Sequence, residues 1–338
     1  MKGVNKNLSR LFAAAILYAA FAVYLYQPHF KNFDRQQYLL LVNVCAASLG
    51  GFVLSRRWVG AFGASFFAGA IYGFGPFMLG LGKYHPTAGF IAAAIPWLLC
   101  PAAYGPRAKL RWVRIPLAAL PFLVIVLFFE VAACYGLFPI PIQTRLQLAD
   151  LAGLAAPLVA AKRNLTLIGF YHVPVAALVI GFSMMLAARR VGVIFIFGIG
   201  TILAFCGPLL NTSPLIWLSL PVLCCSILIS EGLQGFVSAG FADRKWLLGA
   251  TAIMVALAVC TLLLATKYYK VIAGLGAGYA DVLVQTARMY VLGAIAAGIV
   301  LFIVSAKLRG RRLRWAVLYS AMTVDIFFGA TFIVDKIL

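Results

Sequence analysis

Charge is what this chain has least of. Asp, Glu, Lys and Arg make up 11% of its 338 residues, against about 25% in an ordinary soluble domain. Only 8 residues are acidic, and only 3 are histidine. So few charges cannot furnish a water-facing surface. That excludes a water-soluble enzyme, a nucleic-acid-binding domain and a disordered tail. No loop holds cysteines at ligand spacing. Cys45, Cys100, Cys134, Cys206, Cys224, Cys225 and Cys260 all fall inside or at the edge of apolar runs. A disulfide framework and a cysteine zinc site are thereby excluded, and the thiols read as small apolar packing groups. The patterns HExxH, GxxxxGK[ST] and GxSxG are missing too, so metalloprotease, P-loop and nucleophile-elbow chemistry lack their key residues. No cofactor and no metal is implied.

What the chain has is apolar length: 64% of it is hydrophobic. A helix crosses the hydrocarbon core with about 20 mostly apolar residues. Eleven runs qualify: 8–26, 37–54, 58–82, 87–104, 115–135, 165–188, 191–210, 214–233, 246–266, 289–306 and 315–334. The expected fold is an all-α, polytopic transmembrane helix bundle of about eleven spans. Two shorter stretches, Leu151–Ala161 and Val271–Ala280, read as interfacial or re-entrant segments. The N-terminus begins like a signal peptide, basic and then apolar. However, Tyr24, Leu25, Tyr26 and Gln27 follow where a small-x-small cleavage site belongs, so an uncleaved first span is expected.

The net charge of +20 is organised by topology. With the N-terminus in the cytoplasm and the spans alternating, 18 of the 28 basic residues fall on the cytoplasmic side. Every cytoplasmic connection then carries at least two, as the positive-inside rule requires. Trp58, Trp112, Trp246 and Trp315 each adjoin a basic cluster, where interfacial anchors belong. The expected setting is a bacterial inner membrane. Anionic lipid headgroups are the expected partners of the basic loops, among them Arg107, Arg111 and Arg114 on one helical face and the run Lys307–Arg314. Nucleic acid is not an expected partner.

An internal duplication is also legible. Arg56-Arg57 and Arg189-Arg190 each open a span, and each span later meets a Gly-Pro pair, Gly75-Pro76 and Gly207-Pro208. The next spans carry Pro96-Trp97-Leu98-Leu99-Cys100 and Pro221-Val222-Leu223-Cys224. Four helices per unit make this a parallel repeat. The expected division is two leading helices over 1–54, repeat A over 55–187, repeat B over 188–306 and a closing helix over 307–338. Gly and Pro free the backbone at both pairs, and matched breaks inside a membrane point to a binding site. Gly69 and Gly73 form a GxxxG, which allows close helix approach.

Few ionisable residues lie within the spans. Asp325, ten residues past Trp315, is the deepest, and its ionisation without a partner is strongly disfavoured there. Glu231 lies near the cytoplasmic end of its span. Together with the two Gly-Pro pairs these are the candidates for a substrate or proton site in a transporter or permease for a small solute or lipid. Glu130, His172 and His85 lie toward the outer face and define the alternative, a membrane-embedded enzyme acting on a lipid-like substrate; with His29 they are also the candidates for a metal or acid–base cluster. A non-catalytic membrane subunit is the third reading.

Overall fold

The computed structural model describes residues 2–33, 38–84, 86–105, 111–136, 152–156, 158, 169–175, 177–178, 181, 191–267, 279–308 and 310–337. These residues form helices α1 (Lys2–Tyr26), α2 (Tyr38–Ser55), α3 (Phe62–Gly73), α4 (Pro76–Tyr84), α5 (Pro86–Tyr104) and α6 (Arg111–Tyr135). The short α7 (Ala152–Ala155) follows, then α8 (Val191–Phe205), α9 (Ser219–Ser238), α10 (Arg244–Lys267), α11 (Tyr279–Ser305) and α12 (Arg311–Ile337). No strand occurs among the described residues, only an isolated pairing of Leu209 with Thr212. Among the described residues, eight helical stretches are long and apolar enough to cross a membrane, and α5 and α8 supply shorter apolar helices. The expected span 165–188 lies mostly outside the described residues.

Two compact units divide the chain. One comprises Met1–Leu148 and Arg190–Ile227, the other Ala149–Arg189 and Leu228–Leu338. In the first, the GxxxG closes α3 onto α2: a Cβ on Gly69 would strike the Ser48 carbonyl, and one on Gly73 the Ser48 hydroxyl. In lipid such close approach gains van der Waals contact that water exclusion cannot supply. Tyr18 of α1 stacks on Phe66 at 4.7 Å and donates its hydroxyl to the Phe66 carbonyl at 2.7 Å. Pro96 has no N–H for the Ala92 carbonyl four residues back. Tyr72 supplies the missing donor, its hydroxyl 2.6 Å from that oxygen. Two further side chains tie α5 to α2: Trp97 donates to Ala46 at 3.0 Å and Tyr104 to Val53 at 2.6 Å.

In the second unit α10 packs along α11, and α11 along α12. Tyr171, Ala177 and Gly181 meet this body with little clearance. A Cβ on Gly181 would meet the Leu228 carbonyl, one on Gly232 the Ala177 carbonyl, and one on Gly329 the Tyr171 ring. At the basic end, Arg314 donates to the Ala239 carbonyl at 2.6 Å. Nearby, Arg244 and Lys307 each lie 4.9 Å from the centre of the Phe241 ring.

Two boundaries differ from the sequence reading. The tenth expected span starts at Tyr279, not at 289, so Asp281 occupies the first turn of α11 and Arg288 lies within the helix. An acid there complements the helix N-terminus, and a 27-residue helix is long enough to carry both charges toward one end. The seventh ends at Phe205, ahead of Cys206-Gly207-Pro208. Those residues form an exposed turn and not a break within a helix. Gly75-Pro76 behaves as expected: it separates α3 from α4 and is buried, and a Cβ on Gly75 would strike the Ile71 carbonyl.

Candidate functional site

Asp325 stands near the middle of α12 and is fully buried. Its Oδ1 lies 2.9 Å from Nδ1 of His172, which is equally buried. Its Oδ2 accepts the Val173 backbone N–H at 2.7 Å. Helical backbone starts at His172, with Pro174 in its first turn. The first N–H groups of a helix have no intrahelical acceptor, and Pro suits that position. Asp325 therefore caps a helix start from a different helix, where the local dipole favours negative charge.

Tyr290 of α11 completes the enclosure. Its ring meets the imidazole edge-on, with centroids 4.8 Å apart and planes at 90°. Tyr171 and Tyr290 are themselves fully buried. One nitrogen of the site remains unused: His172 Nε2 has no hydrogen-bond partner among the described residues. With Asp325 ionised, Nδ1–H donates to the carboxylate and Nε2 carries the lone pair. In that state a buried proton acceptor stays open at Nε2. Leaving such an atom unpaired costs free energy, so its retention calls for a role.

Glu130 serves a different arrangement, within the first unit. Half-buried on α6, it accepts the backbone N–H of Asn211 at 3.0 Å and the Asn211 side-chain amide at 3.1 Å. Asn211 sits in the turn after α8, beside Leu210 with φ of 56°. Thr212 N–H closes that turn on the Leu209 carbonyl at 3.0 Å. Gly207 and Pro208 lie exposed just before it, whereas Gly75 and Pro76 are buried. The two Gly-Pro pairs thus occupy different surroundings. Glu231 is buried on α9, 8% exposed. His29 lies half-buried in the short helical turn after α1, and His85 lies outside the described residues. Among the described residues no three His, Cys, Asp or Glu side chains gather closely enough to hold a metal ion.

Sequence reasoning singled out Asp325 and His172 but assigned them to different readings. It missed their pairing, the Val173 N–H, Tyr290 and Asn211. The signal for Asn211 was a turn-forming residue just after Gly207-Pro208. The signal for Tyr171-His172-Val173-Pro174 was a proline in the first turn of a helix.

Architecture and composition together are compatible with a multi-pass helical membrane protein. No protein-family model matches the chain, and no curated protein or solved structure matches it either.

Proposed function

We propose that the chain is a transporter for a small solute or lipid, set in a bacterial inner membrane with its N-terminus in the cytoplasm, and that His172 and Asp325 form its proton-responsive site. The observation that supports this is the buried pair with His172 Nε2 unpartnered. A helix cap alone needs no imidazole, and two ionisable groups at this depth are costly. The pair does what a neutral cap cannot. Nε2 can take up a proton while the Nδ1–Asp325 hydrogen bond persists, so the site changes charge by one without coming apart. Carriers that couple proton and solute movement need such a group. The expected eleven spans, which rest on the apolar runs, and the parallel duplication, which rests on the Arg-pair and Gly-Pro spacings, belong to the same reading.

The enzyme reading has less support. Nε2 reaches no hydroxyl or thiol among the described residues, so a base–orienter pair is present without a nucleophile. Glu130, its other candidate acid, is engaged by Asn211.

The test is uptake by proteoliposomes holding the full chain, offered a mixed pool of small solutes under an imposed inward proton gradient. Mass spectrometry of the vesicle contents should find at least one solute accumulated, with accumulation collapsing when an uncoupler is added. Contents identical to protein-free vesicles would refute the transport reading.

A further inference from the structure

A cavity of about 200 Å³ lies in the first unit, with Leu54, Trp58, Ala103, Ala118, Val193 and Cys224 among the residues around it. It lies where α2 and α5 end and α6 and α8 begin. Its apolar walls offer water few hydrogen-bond partners. Two adjacent arginines follow the end of α2, and one of them is tied to the cavity wall. Arg57 Nε donates to the carbonyl of Ala103, itself a wall residue, at 2.8 Å. Arg56 Nη1 donates to the Gly60 carbonyl at 2.7 Å. Both side chains are half-buried and braced on backbone, and neither meets a carboxylate among the described residues. A guanidinium has five N–H donors, so most remain free. Burial, and next the nearby charge of Arg10, hold Arg56 below its ordinary pKa, with Tyr104 opposing. Positive charge therefore lies beside an apolar slot, with no carboxylate to balance it among the described residues.

The positive-inside rule accounts for arginines at this end of the helices, but not for the bracing of Arg57 against the wall of a cavity, with Arg56 next to it in the chain. We propose that the cavity is a binding site for an anionic glycerophospholipid, with its phosphate held by Arg56 and Arg57 and part of one acyl chain in the slot. Charge complementarity selects the headgroup, since guanidinium pairs well with phosphate oxygens. The slot selects a lipid over a free anion, which would leave it empty. Trp58 adds an interfacial indole at the rim.

The site is tested on the full chain reconstituted in vesicles of equal phosphatidylglycerol and phosphatidylcholine, then re-extracted, with the retained lipid quantified by mass spectrometry. Retained lipid should be enriched in phosphatidylglycerol by roughly thirtyfold, the size expected for two cations beside an anionic headgroup. Arg56→Gln with Arg57→Gln should return the ratio to that of the vesicle. Arg311→Gln with Arg312→Gln, exposed at the basic end of α12, should leave the enrichment intact. Ala118→Phe should lower the total retained by filling the slot. For wild-type protein, excess glycerol phosphate should fail to displace the bound lipid. The proposal is overturned by absence of enrichment, by equal loss in the Arg311/Arg312 control, by full retention in Ala118→Phe, or by displacement with glycerol phosphate.

Discussion

Asp325 and His172, 153 positions apart in the chain, are joined at 2.9 Å with both side chains fully buried. Replacing Asp325 by Leu strands the Val173 N–H and His172 Nδ1 together. Breaking a buried pair this way costs about 3–5 kcal/mol, so Asp325→Leu should sharply lower the thermal midpoint of the purified protein. Asp325→Asn should be much milder. Its Oδ1 can accept from Val173, and its amide can donate to Nδ1 once the imidazole moves its proton to Nε2. Nitrogen-15 NMR of histidine-labelled protein should report that tautomer change; an unaltered His172 signal would contradict the pairing.

Tyr72 and Pro96 form a second testable couple. Tyr72→Phe removes the donor from the Ala92 carbonyl that Pro96 cannot serve. The orphaned acceptor should cost about 1–3 kcal/mol. Pro96→Ala restores a backbone N–H for Ala92. In a double-mutant cycle Tyr72→Phe should then cost about 1 kcal/mol less in the Pro96→Ala background. Additive effects would show that the phenol does not replace the proline's missing bond.

The glycines separate cleanly by environment. Gly73→Ala drives a methyl into Ser48 of α2, and overpacking of this kind costs about 1–3 kcal/mol. Gly198→Ala in α8 meets open space and should be neutral or stabilising by about 0.5–1 kcal/mol. Thermal midpoints of the two variants in one detergent check this, and equal effects would contradict the α2–α3 packing.

At the turn after α8, Leu210 holds a φ of 56°, a conformation that costs a residue with a Cβ about 1–2 kcal/mol. Leu210→Gly should raise stability by about that strain. Glu130→Ala should lower stability by about 1–3 kcal/mol, because two donors of Asn211 lose their acceptor. A Glu130→Ala variant as stable as wild type would remove the clasp from the account.

The helices were readable because the bilayer imposes a length and an apolarity that local sequence reports directly. Gly69-x-x-x-Gly73 and Gly75-Pro76 were readable for a related reason: close approach and backbone breaks demand particular residues in place. The start of α11 was not, because Asp281 and Arg288 look like loop residues to a rule that counts charges. The Gly207-Pro208 turn was not, because the same dipeptide ends one helix and interrupts another. The partner of Asp325 lay beyond reach for a further reason. Spacing along a helix constrains neighbours at three and four residues, whereas His172 arrives from a distant segment through tertiary packing. Its own rarity in an apolar run marked it, but rarity does not name a partner.

The most direct test of the central claim compares two modes of transport in one preparation. Proteoliposomes holding wild-type or Asp325→Asn protein are assayed with the solute identified by gradient-driven uptake, first under an inward proton gradient and then in solute exchange with no gradient. A proton-responsive site predicts that Asp325→Asn exchanges solute at nearly the wild-type rate while losing gradient-driven accumulation. Equal accumulation by both proteins would contradict the assignment of proton coupling to Asp325 and His172.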